Sequence, residues 1–241
     1  MYARDIAGRE LTFGVSGKLI MNALVMYDHQ TDTLWSHFLG QAVEGELKGQ
    51  QLEFIPAVQT TWGAWKKVHP DTLLLSTGRF RFDSYVRYYD DPNAPGIIGE
   101  TFSDDRLGRK DLVLGLLMAG EAKAYPFKEL AFQPVLNDQA GDIPVLIVFD
   151  ILTHFAATYS RRLDDRELSF VEIENPEHGE VRMWDEQTAS LWDGLTGESL
   201  EGPLAGERLQ QLPSNYSFWF AWKDYHPETL LFGEGAAAPA S

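Results

Sequence analysis

Polar and apolar residues alternate along most of the chain in short runs bounded by Gly, Asp and Asn, the pattern of half-buried strands joined by tight turns. RELTFGV from Arg9, LVMYD, TLWSH, QLEFIP and TLLLS are predicted strands in the N-terminal third, and RELSFVEI from Arg166, EVRMWD, SLWDG and TLLF in the C-terminal part. DLVLGLLMAGEAKAYPF places two strand-like runs around Ala119-Gly120-Glu121, which predicts a hairpin. KELAF reads as a short helix, and IPVLIVFD from Ile143, dense in β-branched residues, as a buried strand. A helical period is best supported at two places. Trp62, Trp65 and His69 fall at i, i+3 and i+7 on one face, with Pro70 ending the helix, and Trp219, Trp222 and His226 repeat the arrangement before Pro227.

That recurrence belongs to a long internal repeat. Sliding the chain on itself by 157 residues brings Trp35 onto Trp192, Gly40 onto Gly197, Gly45 onto Gly202, Gly49 onto Gly206 and Pro56 onto Pro213 without a gap. Residues 26–75 give 22 identities in 50 positions, against about 3 for chance matching at ordinary residue frequencies. RELTF also meets RELSF upstream, whereas GVSGKLIMNAL and VEIENPEHGEV have diverged. A unit this long is a small domain and not a solenoid repeat.

The expected fold is therefore α+β and predominantly β, with two tandem homologous β-rich lobes, one short helix in each, related by a pseudo-two-fold. The expected division is a first repeat over 1–77, incomplete at its N-terminus, a connecting segment over 78–109, a second repeat over 110–233 and a disordered tail over 234–241. The second half of 78–158 has no counterpart ahead of Met1, so the first repeat lacks what it supplies to the second. The missing strand and hairpin are expected to leave an unpaired edge or apolar patch near Met1 to Val15, open to self-association.

Composition narrows the classes of function. The 241 residues are 44% hydrophobic, 12% aromatic and 23% charged, as in folded globular proteins. With 20 Lys+Arg against 36 Asp+Glu, a net charge of −16 argues against nucleic acid as a partner. The absence of cysteine excludes disulfides and thiolate chemistry within these residues. Neither a signal peptide nor a stretch long enough to span a membrane is visible.

Candidate chemistry is sparse. The cluster Trp62, Trp65, His69, Trp219, Trp222 and His226 reads first as packing, with each histidine at a helix C-terminus; its functional reading makes His69 and His226 metal ligands or acid/base groups. Asp104 and Asp105 are candidates for a hard cation such as Ca²⁺. The glycines of GQAVEGELKGQQL form no phosphate-binding loop, and Ser16 in GVSG lacks the setting of a nucleophile. Exposed tryptophans stacking on sugars form a weaker reading, because six of the seven occur as matched pairs. No cofactor is required by the chain, and none is identified.

The strings GRELTFGVSG, LVMYD followed by LWS, TTWGAW, HPDT and GEAKAYP with VLND together resemble the bacterial and archaeal family catalogued as domain of unknown function 3179. The resemblance covers the chain to about Gly233 and implies no established activity. It implies a cell-envelope or secreted address, and a Cys-Pro-Leu-Cys-like stretch in longer members. The two cysteine positions fall on Asp150 and Thr153 in the second repeat, which therefore lacks the pair, and ahead of Met1 in the first. The leading expectation is a non-catalytic binding or scaffold protein. The alternative is a metal-dependent or redox enzyme with a site between the repeats, drawing on His69, His226, Asp28, Asp185 or Asp150 and complete only in a longer form carrying an upstream Cys-x-x-Cys.

Overall fold

The computed structural model describes residues 1–6, 8–75, 86–173 and 181–234, with the side chains of Val86 and Arg87 excepted. At its centre lies a four-stranded antiparallel sheet in the order Gln211–Leu212, Phe155–Ser160, Ile143–Asp150, Val135–Ala140. The unbroken apolar run of IPVLIVFD follows from its position, because this strand is covered on both sides. Ile147 and Phe149 pack with Leu114, Leu116, Tyr125 and Leu130, while Leu146 and Val148 face the other way onto Phe170, Met183 and Trp192.

The first covering layer is a sheet ordered Asn215–Phe218, Leu112–Met118, Glu121–Pro126, Leu230–Leu231. Its two middle strands form the predicted hairpin; Ala119 and Gly120 adopt φ of 51° and 83°, the two left-handed positions of a tight turn matched to strand twist. Helix Trp219–Tyr225 lies across the outer face, and a Cβ on Gly115 would fall inside the Trp222 ring, so only glycine lets helix and sheet meet. The second covering layer is a meander of Phe170–Ile173, Arg182–Asp185, Leu191–Asp193 and Ser199–Glu201.

A second meander, Phe13–Ile20, Ala23–Asp28, Leu34–Ser36 and Gln41–Glu44, forms from the N-terminal part of the chain. Its elements recur 157 residues later: Phe13 and Phe170 open the meanders, Asp5–Ile6 with Arg9–Glu10 answers Arg162–Leu163 with Arg166–Glu167, and helix Trp62–Val68 answers Trp219–Tyr225. The molecule is β-rich, but one helix per repeat undercounts it. Phe127–Leu130 forms where KELAF predicts a helix, and Val86–Asp90 lies in the segment assigned as a connector. TLLLS and QLEFIP depart from expectation: Leu73 to Leu75 form no strand, and Gln51 and Phe54 make isolated bridges only. The tail beyond Glu234 and part of the connector lie outside the described residues.

The reason is a difference in cover. Helix Trp219–Tyr225 buries Trp219, Phe220, Trp222, Lys223 and Asp224, whereas helix Trp62–Val68 buries none of its residues. Trp219 is fully buried, its counterpart Trp62 is 44% exposed, and Leu73, Leu74 and Leu75 are 94%, 72% and 85% exposed. The first meander closes over a small core of Ile6, Leu11, Trp35, Ala42 and Leu52. Of the patch expected at Met1 to Val15, Met1 and Val15 are strongly exposed, at 69% and 70%, while Leu11 is fully buried; the larger exposed apolar surface is the helix and the leucines after it.

Candidate binding cleft

The acidic residues of the meanders are committed to structure. Asp28 is buried and accepts from Trp35 Nε1 at 2.9 Å, from Thr31 N at 2.6 Å and from Thr31 Oγ1 at 2.9 Å. Burial opposes its charged form, but these donors outweigh it, and the carboxyl titrates below its ordinary range. Asp185 repeats the cage with Trp192 Nε1 at 2.9 Å and Thr188 Oγ1 at 2.8 Å. Both carboxylates hold a buried indole in place, which leaves them unsuited to acid/base work on a ligand.

Each histidine ends its helix through its backbone: His69 N donates to Trp65 O and His226 N to Trp222 O. The rings pack on the tryptophans four residues earlier, with centroids 4.2 Å and 4.3 Å apart. Burial depresses the affinity of His226 for a proton. The two tryptophans of the motif donate alike, Trp65 Nε1 to Thr72 Oγ1 at 3.0 Å and Trp222 Nε1 to Thr229 Oγ1 at 2.8 Å. Asp104 gives its carboxylate to Arg106 at 2.7 Å, which counts against a cation there. Among the described residues no three of His, Asp or Glu gather into a metal-holding cluster.

The sequence-predicted residues lie apart. His226 lies by Leu117 and Pro227, His69 lines an open cleft beside Trp62 and Trp65, and Asp150 and Thr153 line a different one. This last cleft, of about 330 Å³, runs between helix Trp62–Val68 and the far end of the second repeat. Its walls are Ala64, Val68, Leu152, Phe155, Val181 and Leu195; Lys67, Asp150 and Asp193 bring charge to it. Asp150 and Thr153 are bonded to each other, Thr153 Oγ1 to Asp150 Oδ2 at 2.6 Å, and Leu152 N closes the turn on Asp150 Oδ1 at 3.0 Å. Asp193 is paired with Arg182 and accepts from Thr196. Thr60 also lines the cleft, with its Oγ1 buried below the surface and without a hydrogen-bond partner among the described residues.

The cleft exists because this junction is underfilled relative to its counterpart. Where helix Trp219–Tyr225 meets the first meander, Tyr225 stacks on Phe38 at 4.2 Å and its hydroxyl donates to Ile20 O at 2.6 Å. At the same offset Val68 stands for Tyr225, Leu195 for Phe38 and Gly63 for Phe220. The two stacked rings of one junction, Phe38 and Tyr225, are thus absent from the other, and the helix there also lacks the bulk of Phe220. Lys67, Leu195 and Val181 escaped sequence reasoning; the signal lay in these unequal pairs within an otherwise well-matched alignment.

Small antiparallel sheets packed in layers, with paired Asp–Trp cages and clefts where helices meet meanders, define a β-rich protein whose polar groups serve mainly to hold its turns. The chain belongs to the family described as protein of unknown function (DUF3179), whose model matches residues 1–229. No curated protein and no solved structure matches it.

Proposed function

We propose that the protein is a non-catalytic binding protein of two homologous lobes, related by a pseudo-two-fold, which takes a small and mostly apolar ligand in the cleft between helix Trp62–Val68 and Leu152, Phe155 and Leu195. The observation that carries this is the unfilled junction: apolar walls enclose a volume of ligand size, with Thr60, Thr61 and Thr153 among the residues that line it. Lys67 adds a cation at the edge, which suits a ligand with one hydrogen-bonding or anionic group. The lobes comprise 1–77 and 110–233, joined by 78–109. The recurrence of strand bounds, Asp–Trp cages and Trp–His stacks at one offset supports them. The net charge of −16 supports a role without nucleic acid.

The enzyme alternative draws no support from the geometry, since Asp28 and Asp185 are caged and His69, His226 and Asp150 stand at three separate places. Crystallographic fragment screening tests the binding reading. Fragments are expected to cluster against Leu195 and Thr60, and the double substitution Val68→Tyr with Leu195→Phe, which restores the aromatic filling, is expected to abolish their binding while leaving the fold intact. Fragments found only elsewhere, or unaffected by the filled variant, refute it.

A further inference from the structure

We infer that residues 96–106 form a latch that locks the first meander onto the second repeat, pinned on one side by Asn22 and on the other by Asp224. Among the described residues no strand of that meander pairs with a strand of the second repeat, so side chains must hold the two together. The segment between them is gripped from both. At Met21 and Asn22, where φ of 47° and 64° turns the first strand of the meander into the second, the Asn22 carboxamide bonds the segment as a neighbouring strand would. Its Oδ1 accepts from Ile98 N at 2.8 Å and its Nδ2 donates to Gly99 O at 2.7 Å. Gly96 has a φ of 99°, and a Cβ there would lie 2.5 Å from Asn22 Oδ1, so the close approach needs glycine.

From Glu100 onwards the second repeat takes hold. Asp224, buried in helix Trp219–Tyr225, accepts from Thr101 N at 2.8 Å and from Phe102 N at 3.0 Å. Lys223 beside it, equally buried, donates to Phe102 O and lies 3.2 Å from both Glu100 and Asp224. A buried carboxylate and ammonium are tolerated only when their remaining acceptors and donors are used. The backbone of Thr101 and Phe102 is what uses them. Opening the latch therefore strands two charges at once, which makes its closure all-or-none and not gradual.

Neither pin is shared between the repeats. At the offset of 157 residues Asp224 falls on Lys67 and Asn22 on Gly179, inside the stretch where GVSGKLIMNAL and VEIENPEHGEV part. The divergent stretch of the first repeat thus has a use, for it supplies Asn22 and also Ile20 O, which receives the Tyr225 hydroxyl. Helix Trp62–Val68, one wall of the cleft, belongs to the same repeat, so the latch also bears on how firmly that wall is held.

The test removes each pin from the full chain and reads both sides of the latch. In Asn22→Ala and in Asp224→Asn alike, the amides of Ile98, Thr101 and Phe102 are expected to exchange about tenfold or more faster together, the scale set by losing a charged or paired hydrogen bond, while Val25 to Tyr27 inside the meander keep their protection. The double variant is expected to be no faster than the faster single one, because either change opens the same element. Since Asp224→Asn can fail to fold, Gly96→Val opens the latch from the segment's own side and is expected to give the same pattern. The chain has no cysteine, so Lys48→Cys with Asp165→Cys admits a single pair of spin labels, one on each repeat. Their distance distribution is expected to be narrow in the otherwise unchanged chain and broad once Asn22→Ala or Gly96→Val is added. Faster exchange at Ile98 alone in Asn22→Ala, additive effects in the double variant, or a distribution that stays narrow overturns the latch. So does loss of protection throughout the meander, which would make the pins part of one common core. Every readout is taken without ligand, so failure of the latch leaves binding in the cleft to stand or fall alone.

Discussion

Trp62 and Trp219 are the same residue at the same point of the same motif, and truncating each to alanine isolates what the covering sheet contributes. Trp219 is fully buried, donates Nε1 to Asp104 O at 3.1 Å, carries the Arg106 guanidinium 5.3 Å above its ring and packs with Leu107, Val113 and Ala124. A tryptophan buries roughly 200 Å², which at about 25 cal/mol per Å² is about 5 kcal/mol as an upper bound. Large-to-small changes of this kind in cores cost about 3–5 kcal/mol once the cavity is included. Trp62 keeps 44% of its surface in water, so under three-fifths of the area contribution is at stake and no sealed cavity follows. We expect Trp219→Ala to cost about 4 kcal/mol and Trp62→Ala about 1–2 kcal/mol. Urea denaturation followed by circular dichroism resolves this difference, which at a slope of about 2 kcal/mol per molar moves the midpoints about 1 M apart. Equal losses would show that the first helix is as well covered in solution as the second, and would refute the account of its exposure.

Three other expectations follow from the same geometry. Gly115→Leu should destabilise by about 3 kcal/mol through collision with Trp222, whereas Gly63→Ala, in an exposed helix with open space at its Cβ, should gain about 0.5–1 kcal/mol; thermal unfolding of the two variants decides. His226 and His37 are both depressed, chiefly by burial, from the ordinary 6.5, so the unfolded chain takes up protons that the folded one resists. Stability should therefore fall as pH drops through about 6.5, with the slope reduced in His226→Gln; a slope unchanged in that variant would refute the assignment. Elemental analysis of purified protein should find no stoichiometric transition metal, with His69→Ala the same as wild type; one equivalent of metal, lost in His69→Ala, would restore the enzyme alternative.

How much of this was legible beforehand depends on whether the information was local. The Ala119-Gly120 turn, the buried strand at Ile143 and both Trp–His helices were readable because turn chemistry, residue density and period act over a few positions. Leu73 to Leu75 were misread as a strand for an instructive reason: their sequence matches Leu230 and Leu231, but a strand needs a neighbour, and the neighbour is not local. The Asp28 and Asp185 cages were invisible as such, since an aspartate three residues before a threonine and seven before a tryptophan looks like any acidic turn until the indole folds back. The cleft was hidden in what the alignment lacked, the rings missing at Val68, Leu195 and Gly63, and a search for chemistry attends to what is present.

The Asp–Trp cages bear on how the chain folds. Asp28, Thr31, Thr33 and Trp35 close their bonds within eight positions, and Asp185, Thr188, Ser190 and Trp192 do the same, so each cage forms at little loop-closure entropy. The central sheet instead waits for Gln211 and Leu212 to return to Thr158 and Tyr159 across some fifty residues. Order should thus nucleate separately in the two meanders on a fast timescale, with the layered core assembling later and more slowly. The first meander, resting on its own small core, would then be the part of the molecule able to persist when the rest has come apart.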